Sequence, residues 1–280
     1  MRIFAKGFGV LAVAACSHAQ APASHPLEGR IWDVSGARFV SAEELFDRAA
    51  RARHVILGET HDNAEHRRLQ RVVLEALAAR GNKRLLAMEQ FDSEHQAAID
   101  RVVSKDPEAV ADAGRFDRKG WNWPLYRPLV EFALEHGWPL VAANLSRAEA
   151  RRIVADAQPS AMPPALRRAL ERDIVEGHCG QAPEPKRLAG MVEAQRARDA
   201  RLASALKGPS VLITGSGHAR RDRGVPLYLP GGDVVSIGLL EVESGRASAR
   251  EYFGDFFSEA SFDFIWFTPR QPRADPCARR

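Results

Sequence analysis

Glu59, His61, Glu89 and His218 are two carboxylates and two imidazoles scattered along the chain, and each stands at or just after the end of a short apolar run. Brought together, such donors suit a divalent metal ion with one position left open for water. A water so activated hydrolyses esters or amides, so the four are candidate catalytic residues of a metal-dependent hydrolase. The set depends on the fold, because no His-Glu-x-x-His run, Walker loop or dinucleotide fingerprint is present. Gly215-Ser216-Gly217-His218 lacks the Gly-x-Ser-x-Gly elbow, which argues against a serine nucleophile.

The runs that would position these groups read as buried strands at 54–57, 84–88, 139–143 and 210–214, each bounded by polar or turn residues. Helical patterns lie between them. One follows Asp62-Asn63-Ala64-Glu65, which has the spacing of a capping box, and a second runs over 126–137 to its glycine. The stretch 146–207 is almost continuously helical in pattern, broken at Pro159, at Pro163-Pro164 and between Gly177 and Pro185. It is too long for a simple crossover and reads as an inserted helical subdomain. Alternating strands and helices imply an α/β fold, a mainly parallel sheet flanked by helices, with residues 28–280 forming one domain.

In such sheets ligands gather beyond the carboxyl ends of the strands. There the chain supplies Gly58-Glu59-Thr60-His61, Glu89-Gln90, Asn144-Leu145-Ser146 and Gly215 to Arg220. Any one of these is equally a cap or a solvated loop, and their coincidence is what marks the edge. His66 falls on the buried face of its helix, as a structural histidine or a further member of the site. Gln195 and Asp199 share a helical stripe with Leu188, Met191, Val192 and Leu202. A buried carboxylate needs a partner, either an arginine or the site itself.

The first residues address the protein. Arg2 and Lys6 precede an apolar run from Gly7 to Ala15, which has the form of an export signal. It is far short of the roughly 20 residues that cross a bilayer. Leu11-Ala12-Val13-Ala14-Ala15-Cys16 resembles a lipobox, so residues 1–15 are expected to be removed and Cys16 acylated; cleavage after Ala19-Gln20-Ala21 is the competing reading, disfavoured by Pro22. Residues 16–27 form a tether, and Ser17 in place of aspartate points to the outer membrane, facing the periplasm. The formal charge of +4 falls by two when the signal leaves, and basic residues alternate with acidic ones along the helices, so nothing suggests nucleic acid. Cys179 and Cys277 remain as a natural pair in an oxidising compartment, the alternative being two free thiols.

Taken together, several ordered motifs resemble the ChaN-type haem-binding uptake proteins of the Tiki-like superfamily. They are Gly-Glu-Thr-His-Asp-Asn from Gly58, Met88-Glu89-Gln90-Phe91, Trp121 to Tyr126, Ala143-Asn144-Leu145, Gly177-His178-Cys179-Gly180, Gln195 to Asp199, and Gly215-Ser216-Gly217-His218 leading to Gly224-Val225-Pro226. The resemblance implies an α/β sheet with a helical subdomain, haem binding during iron acquisition, a tyrosine on the iron and a homodimer around stacked haems. An outer-membrane haem receptor is the partner this implies. Tyr126, beside Trp121 and Trp123, is the expected ligand, with His136 or His178 assisting. Wider members of the superfamily include metal-dependent proteases and esterase-like enzymes, which keeps the hydrolase reading of Glu59, His61, Glu89 and His218 beside the haem one.

Overall fold

Residues such as Val55, Leu57, Val211 and Ile213 turn to one face of the sheet while Ile56 and Leu212 turn to the other, and both sets are buried. Continuous apolar strands of this kind require cover on both sides. The computed structural model describes residues 25–156, 158–231, 233–254, 258–275 and 277–278. The export segment, Cys16 and most of the tether lie outside the described residues.

In chain order the elements are β1 (Ile31–Asp33), β2 (Arg38–Val40), α1 (Ala42–Arg51), β3 (His54–Glu59), α2 (Ala64–Ala79) and β4 (Leu85–Asp92). There follow the short α3 (Gln96–Ile99), α4 (Pro107–Ala113), α5 (Trp123–His136), β5 (Leu140–Asn144), α6 (Arg147–Asp156), α7 (Pro164–Gly177) and α8 (Pro185–Ala205). The chain closes with β6 (Ser210–Gly215), the single-turn α9 (Ser216–Ala219), β7 (Val234–Glu241) and β8 (Phe264–Thr268). The sheet has eight strands in the order β2-β1-β8-β7-β3-β6-β4-β5. β3 to β8 pair parallel, and the hairpin β1-β2 adds antiparallel to β8. An α/β sheet, mainly parallel, with α6 to α8 following as a helical block, is what the sequence patterning implies.

One face packs under α1, α2, α4 and α5, through Leu45, Leu69, Val73, Leu77 and Leu129. The opposite face carries Leu202 and Leu206 from the end of α8, then Val225, Tyr252 and Phe262. α6 crosses α8 at a glycine, since a Cβ on Gly190 would stand 2.2 Å from the Val154 carbonyl oxygen.

Because β3 lies between β6 and β7, with β4 beyond β6, the carboxyl ends of β3, β6 and β4 meet in the middle of the sheet. Glu59 pairs with Gly215, and Met88 with Ile213, which sets Glu89 beside Thr214. Among the described residues no helix is long and apolar enough to cross a membrane.

Candidate functional site

Glu59 closes β3 with its side chain fully buried, and five groups converge on it. Oε1 accepts from the Tyr126 hydroxyl at 2.5 Å, from His61 Nδ1 at 2.9 Å and from Gln90 Nε2 at 3.3 Å. Oε2 accepts from Gln70 Nε2 at 2.6 Å and pairs with the Arg67 guanidinium. Arg67 also donates to the carbonyls of Thr60 (3.1 Å) and His61 (2.9 Å), which fixes the turn after β3. Its guanidinium lies over the Tyr126 ring, 4.5 Å from the centroid. Burial pushes the Tyr126 hydroxyl well above the usual phenol range, so it stays a neutral donor. Glu59 thereby orients His61, whose side chain is 46% exposed.

A second carboxylate–imidazole pair stands beside the first. His218 Nδ1 lies 2.6 Å from Asp199 Oδ1 and 3.2 Å from Gln195 Nε2, and His218 Nε2 lies 3.6 Å from Glu89 Oε1. Glu89 Oε2 accepts from Thr214 Oγ1 at 2.6 Å and from the Gly215 N–H at 2.8 Å. Burial disfavours charge on both Glu89 and His218, but their mutual attraction outweighs it. The imidazole is held above its ordinary pKa with help from Asp199; Glu89 is held down at about 2 by His218, His61 and its two donors. Close packing of the two pairs depends on glycine: a Cβ on Gly215 would meet the His61 ring at 3.0 Å, and one on Gly224 would stand 2.2 Å from the His218 carbonyl oxygen.

The edge thus offers two imidazoles, each oriented through Nδ1 by a buried carboxylate, an arrangement suited to moving protons. As the set of metal ligands expected from the sequence it needs correction. Both oxygens of Glu59 are taken by neighbours, and Oε2 of Glu89 is taken by Thr214 and Gly215, so these carboxylates position side chains. Among the described residues no group of three or more His, Cys, Asp or Glu side chains is placed to hold a metal ion.

The aromatic expectation changes as well. α5 begins at Trp123, with Pro124 in its first turn, so Trp123 and Tyr126 share its buried face. Trp123 packs on Phe116 and donates Nε1–H to Glu108 at 2.6 Å. Tyr126 is fully buried with its hydroxyl committed to Glu59, so as placed it presents no oxygen to an iron. Trp121, half buried, meets His61 edge-on at 4.7 Å and belongs to the strand-end edge. His66 is a structural histidine, bound to the Thr60 N–H at 2.9 Å and to Thr268 Oγ1 at 2.9 Å. His136 lies at the opposite end of α5 from Trp123, stacked on Phe132. The partner of Asp199 is His218, not an arginine.

His178 has a different setting, on a large cleft of about 1190 Å³. One wall is α7, through Ala165, Leu166, Ala169, Leu170 and Ile174; the other is formed by Gln195, Ser216, Gly217, Leu227 and Phe253. Arg172, Arg220 and Arg223 stand along it, the last two in ion pairs with Asp222 and Asp173. His178 caps the C-terminal end of α7, and its Nδ1 lies 2.7 Å from the Ile174 carbonyl oxygen. A carbonyl only accepts, so in the neutral imidazole Nδ1 carries the proton and Nε2 keeps its lone pair. Next in the chain, Cys179 forms the disulfide with Cys277. Sequence reasoning missed the cleft itself, although the apolar stripe of α7, of which Leu170 alone is buried, is visible in the sequence.

Residues 45–229 match the family model described as haem-binding uptake, Tiki superfamily, ChaN. No curated protein sequence matches the chain. Among solved structures it is similar to the ChaN of Campylobacter jejuni, described with cofacial haem binding, at 24% identity and a TM-score of 0.72, covering 84% of this chain and 95% of that one. That likeness shows the fold. An erythromycin esterase superposes with a TM-score of 0.49 at 12% identity, covering 89% and 99% of the two chains.

Proposed function

Since the chain belongs to the ChaN family of haem-binding uptake proteins in the Tiki superfamily, we propose that it binds haem in the cleft beside α7, with His178 Nε2 facing the iron. The observation that carries this reading is the state of His178. A ligating histidine normally donates its other ring N–H to a carbonyl or carboxylate, and Ile174 already accepts from Nδ1. Imidazole is a common axial ligand of haem iron. The cleft fits a macrocycle: its volume exceeds the 300–1,000 Å³ of most small-molecule sites, its α7 wall is apolar, and Arg172, Arg220 and Arg223 put positive charge along it for propionates, the last two shared with Asp222 and Asp173. Tyrosine ligation, which the family resemblance implies, finds no tyrosine among the residues lining this cleft. Tyr126 and Tyr252 are buried, and Tyr228, half buried, lines a separate pocket with His54, Ala203 and Leu229.

On this reading the protein is an exported lipoprotein, anchored through Cys16 at the periplasmic side of the outer membrane, where bound haem serves iron acquisition beside a haem receptor. The Cys179–Cys277 disulfide supports an oxidising compartment. A second copy stacked over a haem at the open cleft gives a cofacial pair. Titration of the purified mature protein with haemin is expected to give a saturable absorption band at one haem per chain; linear, unsaturated absorbance would refute the reading.

A second reading rests on the strand-end edge. His61, half exposed and fixed through Nδ1 by Glu59, is placed as a general base for water, and His218 as its acidic counterpart. Hydrolysis is the reaction such an edge supports. Metal analysis and an ester and peptide hydrolysis screen test it: turnover lost in both His61→Ala and His218→Ala favours it, and no turnover in the parent protein removes it.

A further inference from the structure

The helix that carries His178 is lightly seated. Of the 14 residues of α7 only Leu170 is fully buried; the helix packs against α8 along a partly buried face and is tied to the body of the domain by the Asp173–Arg223 pair at 2.7 Å. Its C-terminal turn is sealed locally, the N–H groups of Cys179 and Gly180 each donating at 2.9 Å to the carbonyls of Glu176 and Val175. That fixes the turn's shape but not its place. The bond from Cys179 to Cys277, 98 residues away in sequence, ties this turn to the C-terminal tail. The tail bearing Cys277 is in turn clamped to the sheet. Arg273 donates to Asp62 at 2.8 and 2.7 Å and to Glu241 at 2.7 and 2.6 Å, and Glu241 ends β7.

We propose that the Cys179–Cys277 disulfide is the positioning brace for His178, so that the grip of the cleft on its ligand depends on the oxidation state of this bond. The inference rests on the haem reading above. A dithiol reductant opens the brace by thiolate attack on one sulfur and release of the other as a thiolate. Its second thiol then resolves the mixed disulfide, so two electrons and two protons pass to Cys179 and Cys277 and the reductant leaves as a disulfide. With the brace open, α7 keeps its packing on α8, Leu170 and the Asp173 pair as its holds, but its C-terminal turn loses the tie to the tail and His178 no longer has a fixed approach to the iron.

The test compares haemin titrations of the oxidised protein, the protein reduced and alkylated with iodoacetamide, and the double variant Cys179→Ser/Cys277→Ser, each with and without His178→Ala. The orientation of a ligating histidine is commonly worth about 10- to 100-fold in affinity. A loss of at least about tenfold, with a changed ferric spectrum, is therefore expected on opening the brace. In the His178→Ala background it should cost nothing further, because one interaction cannot be lost twice. Arg273→Ala, which spares the disulfide but frees the tail, is expected to give a smaller loss and covers the case of a serine variant that folds poorly. Equal affinity with the brace open or closed, or an equal loss with and without His178, would overturn the proposal. Absence of saturable binding in the oxidised parent protein would remove the haem reading, and the proposal with it.

Discussion

Replacing His178 by alanine is expected to weaken haemin binding on the order of 100-fold while leaving the melting temperature nearly unchanged. The loss is large because an axial ligand goes, and removal of a group that merely orients such a ligand already costs about 10- to 100-fold. Stability is spared because His178 is half buried at a helix end and its side-chain hydrogen bond is to the Ile174 carbonyl of its own turn. Substitutions away from cores and networks usually stay within about 0.5 kcal/mol. Tyr126→Phe gives the contrasting result, with haemin affinity retained, because its hydroxyl is spent on Glu59 inside the fold. Absorbance titration and a thermal melt on the three proteins separate these effects.

Glu59→Leu is expected to destabilise the domain by about 3–5 kcal/mol, the usual cost of removing one partner of a buried ion pair. Arg67, buried beneath the β3–α2 turn, would keep its charge with no anion against it, and Gln70, Gln90 and the Tyr126 hydroxyl would each lose an acceptor. Glu59→Gln retains acceptor capacity and should cost less, about 1–3 kcal/mol. Denaturant midpoints measure both, and Arg67→Leu in the Glu59→Leu background should recover part of the loss, since the pair is then removed as a unit. A Glu59→Leu protein as stable as its parent would show that the network at the end of β3 is not a structural hub.

Legibility followed burial. β3, β4, β5 and β6 stand out because runs such as Val55-Ile56-Leu57 and Val211-Leu212-Ile213 are apolar on both faces. Their ends were harder to read. β4 continues through Glu89, Gln90 and Phe91 to Asp92, because the polar side chains there find buried partners and need no solvent. β7 and β8 escaped the reading although both are largely buried, and β1 and β2 are three-residue strands with little pattern to find. Pro124 moves the start of α5 back to Trp123, which turns an apparent surface patch of aromatics into core packing. The pairing of Cys179 with Cys277 was legible because two cysteines leave one bond to form. The cleft was not, since its second wall comes from segments near 216, 227 and 253, far from α7 in sequence.

These features together separate two regions that sequence motifs alone had merged. Trp121, Tyr126 and the Glu59–His61 pair form one continuous hydrogen-bonded and packed unit at the ends of the strands. His178 faces the cleft, whose opposite wall includes Ser216 and Gly217, the two residues leading to His218. A ligand in the cleft would therefore lie beside the strand-end edge without displacing any of its buried groups.

A crystal structure of the haemin complex tests the central claim most directly. The expected result is a porphyrin against the apolar face of α7, with His178 Nε2 on or toward the iron and Trp121 and Tyr126 unmoved. A porphyrin bound instead through Tyr126 against Trp121 and Trp123, with the α7 cleft left empty, would contradict it.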